Sequence, residues 1–338
     1  MRRALTPWRA AGAVVCLLVL TLVALWLVPS SDYLLLPDPA HPVAPLVRVQ
    51  GERRESDAGG IYFVDVFERR ASLLESLFPF IRSGSTRVPA SEIVPPGVSD
   101  KAARLADLRE MRISQRVAAA VALRRLGYHV VARPDGVIVD AIELGSHATG
   151  KLQPADVIVS VNGDRTRTIR RLLEQLSRVR PGAFVTLGVL RGTQNLSYRI
   201  RTIADPADPG RALVGFTPEQ SADIRLPIRV RIDAGNVGGP SAGLAFALEV
   251  MEKLGRDVDH GYRVAATGQM ELDGSVAPIG GVKQKTFGAR RAGADVFLVP
   301  AAGDNAAEAR RYAHGLRIIA VKSFPQALHA LATLPPKT

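Results

Sequence analysis

The hydrophobic pattern opens with an unusually apolar stretch at residues 10–28, which holds 19 residues without a charge. A helix needs about 20 apolar residues to cross a bilayer. Three arginines precede the stretch, and no acidic residue occurs before Asp32. Because basic residues remain on the cytoplasmic side, the pattern predicts an uncleaved transmembrane helix, with residues 1–9 in the cytoplasm and the rest outside. The alternative is a cleaved signal peptide, whose apolar core is shorter and ends at a small-residue cleavage site.

Beyond this stretch the period of the hydrophobic pattern changes repeatedly, which predicts an α/β (α+β) chain in several parts. Residues 29–58 are rich in Pro and Asp and predict a tether. Residues 59–128 combine a β-rich segment with a helical period over 100–126. Residues 129–205 alternate short strands, polar turns and one amphipathic helix. Residues 206–338 begin with a proline-containing loop over 206–222, followed by an alternating strand over 222–233 and by apolar helical and strand runs.

Composition excludes several classes of protein. The chain has 338 residues, 47% of them hydrophobic, so wholesale disorder is excluded. Its net charge is +12, but 37 of its 44 basic residues are Arg, and no nucleic-acid-binding pattern accompanies them. We therefore expect no nucleic-acid partner. The single cysteine, Cys16, excludes an internal disulfide and any cysteine-cluster metal site, and we expect no metal.

Three short motifs in the middle of the chain are typical of one binding module. They are GVIVDAI at 136–142, DVIVSVNG at 156–163 and VTLGVLR at 185–191. With them, residues 129–205 resemble a bacterial PDZ domain. PDZ domains bind an extended peptide as an added strand. The resemblance places this peptide-binding site, beside the predicted helix, at Gly136, Val137, Ile138 and Val139. The alternative is an α/β module without peptide affinity.

The same region contains an incomplete phosphate-binding motif. Gly145, Gly150 and Lys151 fit its beginning, but Leu152 stands where a Ser or Thr hydroxyl would hold magnesium. We therefore expect no ATPase activity and no cofactor.

Candidate chemistry begins at residues 236–243, NVGGPSAG, before a strongly apolar helical run. Ser241 at such a helix start is either an N-cap or a nucleophile beside backbone N–H groups that bind an oxyanion. Downstream, Lys283 and Lys285 follow a Gly-Gly pair. A lysine can serve as the base for a serine if burial lowers its pKa by about 3 units. Otherwise both are surface lysines.

The order GGPSAG, TG and GSVAPIGGVKQK resembles the proteolytic domain of Lon proteases. That resemblance implies Ser241 as the nucleophile and Lys285 as the base, with Lys283 uninvolved. It also implies that Thr267 orients the lysine. Backbone N–H groups around Gly239–Ser241 are then expected to hold the oxyanion, with Gly239 and Pro240 as supporting residues.

The resemblance continues upstream of the PDZ-like module, through GGIYFVDV and MRISQRVAAAVALRRLG. Together with the predicted anchor, the chain resembles membrane-anchored, PDZ-containing Lon-like proteases of bacteria that have no ATPase module. The PDZ domain would then interrupt the proteolytic domain. The resemblance implies an ATP-independent serine endopeptidase that cleaves exported or membrane polypeptides, and assembly into a hexameric ring.

Two other functions compete with this interpretation. A trypsin-like protease would need a His–Asp–Ser triad, but none of the six histidines has an evident triad context. A non-catalytic membrane anchor that binds protein C-termini through the PDZ domain is the second. The presence of both Ser241 and Lys285 favours the peptidase.

Overall fold

The computed structural model describes residues 7–53, 59–78, 81–94, 98–143 and 145–337. The helices are α1 (Pro7–Leu27), α2 (Leu73–Leu77), α3 (Ala90–Ile93), α4 (Asp100–Arg125), α5 (Ile169–Leu176), α6 (Gly243–Lys253), α7 (Val282–Arg291), α8 (Asn305–Arg311) and α9 (Phe324–Ala332). The strands are β1 (Pro29–Pro37), β2 (His41–Pro42), β3 (Val47–Val49), β4 (Gly60–Phe63), β5 (Val66–Ser72), β6 (Thr86–Pro89), β7 (Val131–Ile142), β8 (Val157–Val161), β9 (Asp164–Arg165), β10 (Phe184–Arg191), β11 (Gln194–Arg201), β12 (Ile203–Ala204), β13 (Ala212–Leu213), β14 (Phe216–Arg225), β15 (Val230–Ile232), β16 (Arg263–Ala266), β17 (Gln269–Met270), β18 (Val276–Ala277), β19 (Val296–Pro300) and β20 (Arg317–Val321).

A five-stranded sheet in the order β2-β4-β16-β19-β20 combines two strands from residues 41–63 with three strands of the C-terminal half. Strands β4, β16, β19 and β20 are parallel, and β2 is antiparallel to β4. Every residue of β19 is buried, as expected for a parallel strand covered on both faces. Residues of α4 and α6 pack on one face, and residues of α7 and α8 pack on the other. The sheet therefore holds α6 and α7, the helices that follow the two predicted catalytic motifs, on opposite faces.

The segment predicted as a tether is built into the fold. Strand β1 is the middle strand of a sheet in the order β5-β1-β6, and Leu34 at its centre is fully buried. Strand β3 pairs with β15 of the C-terminal half. The tether prediction is therefore wrong for the described residues 29–53, because a short apolar run within the Pro- and Asp-rich composition forms a central strand. Residues 54–58 lie outside the described residues.

The middle of the chain forms a separate antiparallel sheet in the order β11-β10-β8-β7-β14, with the short β9 paired to β8. It has its own apolar core, against which α5 packs through Leu172 and Leu176. Strand β14 pairs with β7 along its whole length. The module predicted to end at residue 205 therefore includes a strand that ends at residue 225. It lies in the chain between α4 and β15, both of which pack with the C-terminal half.

Helix α1 precedes β1, and most of its described apolar side chains are exposed. Across the described part of the chain, none of the helices combines the length and the apolar character that crossing a membrane requires.

Candidate active site

The loop at residues 236–242 places Ser241 immediately before helix α6. Gly239 adopts a left-handed backbone conformation with φ of +79°, which glycine tolerates without a steric penalty. Helix α6 is buried on nearly its whole circumference and lies in the core. The nucleophile predicted from the sequence is thus held at the end of a rigid, buried helix.

Lys285 reaches Ser241 from helix α7. Its Nζ lies 2.9 Å from Ser241 Oγ, and the residue is only 5% exposed. Burial lowers the pKa of Lys285 to about 8, while the carboxylates of Asp65 and Glu68 act to raise it. A large share of the amine is therefore neutral near pH 8 and able to accept the hydroxyl proton.

Lys283, on the same helix, points elsewhere. Its Nζ donates to the carbonyl oxygen of Ser85 at 2.7 Å and lies over the ring of Tyr312. This lysine therefore connects α7 to the segment before β6, and it is Lys285 that makes the contact with Ser241.

Thr267 lies at the site, but its hydroxyl makes a different contact from the one expected. Its Oγ1 donates to the carbonyl oxygen of Ser241 at 3.1 Å, and the N–H of Gly268 donates to the same oxygen at 2.8 Å. Both contacts fix the peptide that follows Ser241. In this structure Thr267 therefore positions the serine backbone, and the expected contact with Lys285 is not seen.

Gly239 and Pro240 flank the site without offering N–H groups to an oxyanion. The N–H of Gly239 donates to the carbonyl oxygen of Asp107 on α4 at 2.9 Å, and proline has no N–H. The N–H groups of Ser241 and Ala242 find no hydrogen-bond acceptor within the described part of the chain. Of the predicted stretch Gly239–Ser241, only Ser241 therefore has an N–H without an acceptor among the described residues, and Ala242 has a second such group.

The Ser241–Lys285 pair lies in a cleft of about 890 Å³ whose lining is strongly acidic. Among the described residues, its only cations are Arg104 and Lys285. Its eight carboxyl groups belong to Asp38, Asp65, Glu68, Glu92, Asp100, Asp107, Glu110 and Asp140. Burial raises the pKa of Glu68 and Asp107, and it raises the pKa of Glu110 to about 7. Acidic groups thus outnumber basic groups in the cleft, whereas the whole chain has a net charge of +12.

Sequence reasoning did not anticipate Asp65 and Glu68 as neighbours of the lysine. Asp65 directly precedes strand β5 and Glu68 lies within it, and both come more than 170 positions before Ser241. No spacing rule joins residues so far apart, so only the folded chain could bring them together.

The predicted peptide-binding residues lie in the interior of the PDZ-like sheet. Strand β7, which contains Gly136, Val137, Ile138 and Val139, pairs with β8 on one side and with β14 on the other. A peptide can add only to a strand with an open edge. The predicted location is therefore wrong while β14 is in place, and the edge of the sheet next to α5 is β14.

Comparison with known proteins finds both parts of the fold, although it places β14 in the match to the proteolytic domain. Residues 214–333 match the family model of the Lon protease (S16) C-terminal proteolytic domain, and residues 124–202 match that of the PDZ domain. Lon protease 1 of Sorangium cellulosum is 37% identical over 112 residues, which is 30% of this chain and 13% of that protein. Lon protease 2 of Bacillus subtilis is 36% identical over 151 residues, which is 43% of this chain and 26% of that protein.

The chain thus spans about a quarter or less of the length of these relatives. Among solved structures, the PDZ domain of the SdrC-like protein from Listeria monocytogenes is 22% identical, with a TM-score of 0.23. The match covers 25% of this chain and 87% of the Listeria chain. Residues 214–333 are thus similar to a Lon-type proteolytic domain, and residues 124–202 are similar to a PDZ domain.

Proposed function

We propose that this chain is a serine endopeptidase in which Ser241 is the nucleophile and Lys285 the general base. The observation that carries the proposal is the 2.9 Å contact between a buried lysine amine and a serine hydroxyl. The lowered pKa of that amine, about 8, and the similarity of residues 214–333 to Lon proteolytic domains support it.

The reaction follows from these groups. Ser241 Oγ attacks the scissile carbonyl carbon and gives its proton to Lys285 Nζ. The oxyanion accepts hydrogen bonds from the N–H groups of Ser241 and Ala242. Lys285 then protonates the leaving amine, and an acyl-enzyme remains. A water molecule, deprotonated by Lys285, releases the acyl group and restores the serine.

The test is cleavage of fluorescent casein by the full chain in detergent, with and without ATP. Ser241→Ala and Lys285→Ala should each lower the rate by about 10³-fold or more. Lys283→Ala is the matched control, because it removes a lysine two positions away on the same helix, and it should retain activity. Full activity of either dyad variant would refute the assignment, and a requirement for ATP would refute ATP independence.

We also propose that the PDZ-like module recruits polypeptide substrates by adding their tails to the open edge of β14. Among the described strands, β14 pairs only with β7, and it contains Pro218, a residue that sheets accept at edges. Helix α5 lies beside it, since the N–H of Ile169 donates to Gln220 Oε1 at 3.3 Å. This arrangement offers a strand edge and a helix between which an extended peptide fits.

Location and assembly are further parts of the proposal. The uncharged stretch at residues 10–28 and its preceding arginines support anchoring in the bacterial cytoplasmic membrane, with the catalytic part outside the cytoplasm. Carbonate washing of membranes tests this anchoring, and release of the full chain into the soluble fraction would contradict it.

The resemblance to Lon supports assembly into a ring of subunits, with six as the expected number. Mass measurement of the detergent-solubilised protein tests this assembly, and a monomer would contradict it.

A further inference from the structure

Ser114 is a buried serine on α4. Its hydroxyl points toward the loop at residues 236–242 that carries Ser241, the nucleophile loop. The residue is 3% exposed, and its Oγ donates to the carbonyl oxygen of Pro240 at 2.8 Å. A serine inside a helix more often faces solvent or bonds to the carbonyl four residues before it. Here the hydroxyl joins two segments that lie 126 positions apart.

The space around this contact is closely fitted. A Cβ added at Gly243 would lie 2.8 Å from Ser114 Oγ and 3.0 Å from the N of Met270. The glycine of the PSAG motif therefore leaves room for the Ser114 hydroxyl. Helix α4 also holds the loop at a second point, since the carbonyl oxygen of Asp107 accepts the N–H of Gly239 at 2.9 Å.

Peptide planarity carries the effect of this bond to the catalytic side. In a trans peptide the carbonyl C=O and the following N–H point in opposite directions. The Ser114 hydroxyl fixes the direction of the Pro240 carbonyl, and hence that of the Ser241 N–H. In the same way, Thr267 and Gly268 fix the Ser241 carbonyl, and hence the direction of the Ala242 N–H.

We propose that Ser114 is a positioning residue for the oxyanion site, because it sets the orientation of the peptide that presents the Ser241 N–H. The inference rests on the proposed peptidase function. It assigns to a residue of α4, outside both catalytic motifs, a share in stabilising the transition state. Loss of one oxyanion donor slows catalysis by about 10²–10³-fold, and a donor that is only misaligned should cost less.

The experiment compares Ser114→Ala with the wild-type full chain on a short fluorogenic peptide. We expect kcat to fall about 10- to 100-fold, with KM and the pH midpoint near the Lys285 pKa of about 8 unchanged. A peptide aldehyde, which forms a tetrahedral adduct with a serine, should lose affinity by a similar factor. A merely structural role would not make the change in kcat track the change in aldehyde affinity.

The matched control is Ser146→Ala. Ser146 is a buried serine of the PDZ-like module whose Oγ donates to the carbonyl oxygen of Val214, also at 2.8 Å. It loses the same kind of bond away from the cleft, so its kcat on the short peptide should match that of the wild type. If Ser114→Ala does not fold, the isosteric pair Ser114→Thr and Ser114→Val separates the hydroxyl from its packing, and only the threonine should retain activity.

Three outcomes would overturn the role of Ser114. They are a kcat within twofold of the wild type, a kcat loss without a matching loss of aldehyde affinity, and an equal loss in Ser146→Ala. These are distinct from failure of the proposed function. If the wild type shows no cleavage that depends on Ser241, the peptidase proposal fails and the role of Ser114 fails with it.

Discussion

The nucleophile loop and strand β14 both contact helix α4, yet the structure holds them in contrasting ways. Around Ser241 the carbonyl groups of Pro240 and Ser241 and the N–H of Gly239 all have hydrogen-bond partners in other segments. Among the described strands, β14 is paired along one side only, and α4 contacts it through a bond from Arg116 to the carbonyl of Ile224 at 2.8 Å.

The difference follows from what each region is proposed to do. A catalytic group must already have its geometry when the substrate arrives, because any reorganisation adds to the barrier. A peptide-binding strand must keep backbone groups unpaired, because the incoming peptide pairs with them.

The largest effect is expected at Lys285. Lys285→Met should lower kcat by about 10³-fold or more and should raise the stability of the protein at pH 7. The folded-state pKa is about 8 and the unfolded value 10.5, so the unfolded chain binds more protons between these values. Wild-type stability therefore rises with pH across that window, and below it the buried lysine costs about 3 kcal/mol.

Thermal unfolding of the full chain in detergent, at several pH values, measures this cost. The stability advantage of Lys285→Met should shrink as the pH rises from 8 to 10.5. Lys283→Met is the matched control, and it should lose stability because it breaks the bond to Ser85. If Lys285→Met were less stable than the wild type at pH 7, the lysine would not be a desolvated cation.

The next effect is the pH dependence of the wild-type rate. Because only neutral Lys285 accepts the serine proton, kcat/KM should rise roughly 50-fold from pH 6 to pH 8 and level off above pH 9. Two carboxyl groups near α4 titrate in the same range, since the pKa is raised to about 7 for Glu110 and to about 8 for Glu219, mainly by burial.

Glu110→Gln and Glu219→Gln separate these contributions. Both variants should keep the midpoint near pH 8 if the lysine is the base. A midpoint that disappears in either variant would assign the profile to that carboxyl group, and a flat profile between pH 6 and pH 8.5 would exclude the lysine as the base.

Local motifs determined how much of the site could be predicted. Ser241 and Lys285 each follow a glycine-rich turn at a helix start, and the structure brings their side chains together. The bond that occupies the N–H of Gly239 could not be predicted from the sequence, because its acceptor belongs to Asp107, more than 130 positions away. The contact of Thr267 with a backbone oxygen depends in the same way on the packing of β16 against α6.

The fold was predictable to a similar extent. Helix α4 spans Asp100–Arg125, close to the predicted 100–126. It could be predicted because its helical pattern of apolar residues continues over many turns and Ser99 caps its first turn. Strand β14 could not be assigned to the middle module, since it lies after the recognisable motifs and pairs with a strand about 80 positions earlier. The same pairing leaves β14 and not β7 at this edge of the sheet, because the pairing of distant strands is set by tertiary contacts.

The smallest effect concerns the open edge of β14. Leu173 is 38% exposed. It lies one helical turn beyond Ile169 on the same face of α5. Ile169 connects this face to β14, since its N–H donates to the side chain of Gln220. Leu173→Asp should raise KM for a substrate with an apolar C-terminal tail about tenfold relative to an untailed peptide, since it places a charge where tail side chains would pack. Phe184→Asp is the matched control: it alters an equally apolar, 52% exposed residue of β10, on the far side of the sheet. It should leave that KM ratio unchanged. Equal effects of the two variants would mean that the tail binds elsewhere, and that β14 only joins the module to the catalytic half.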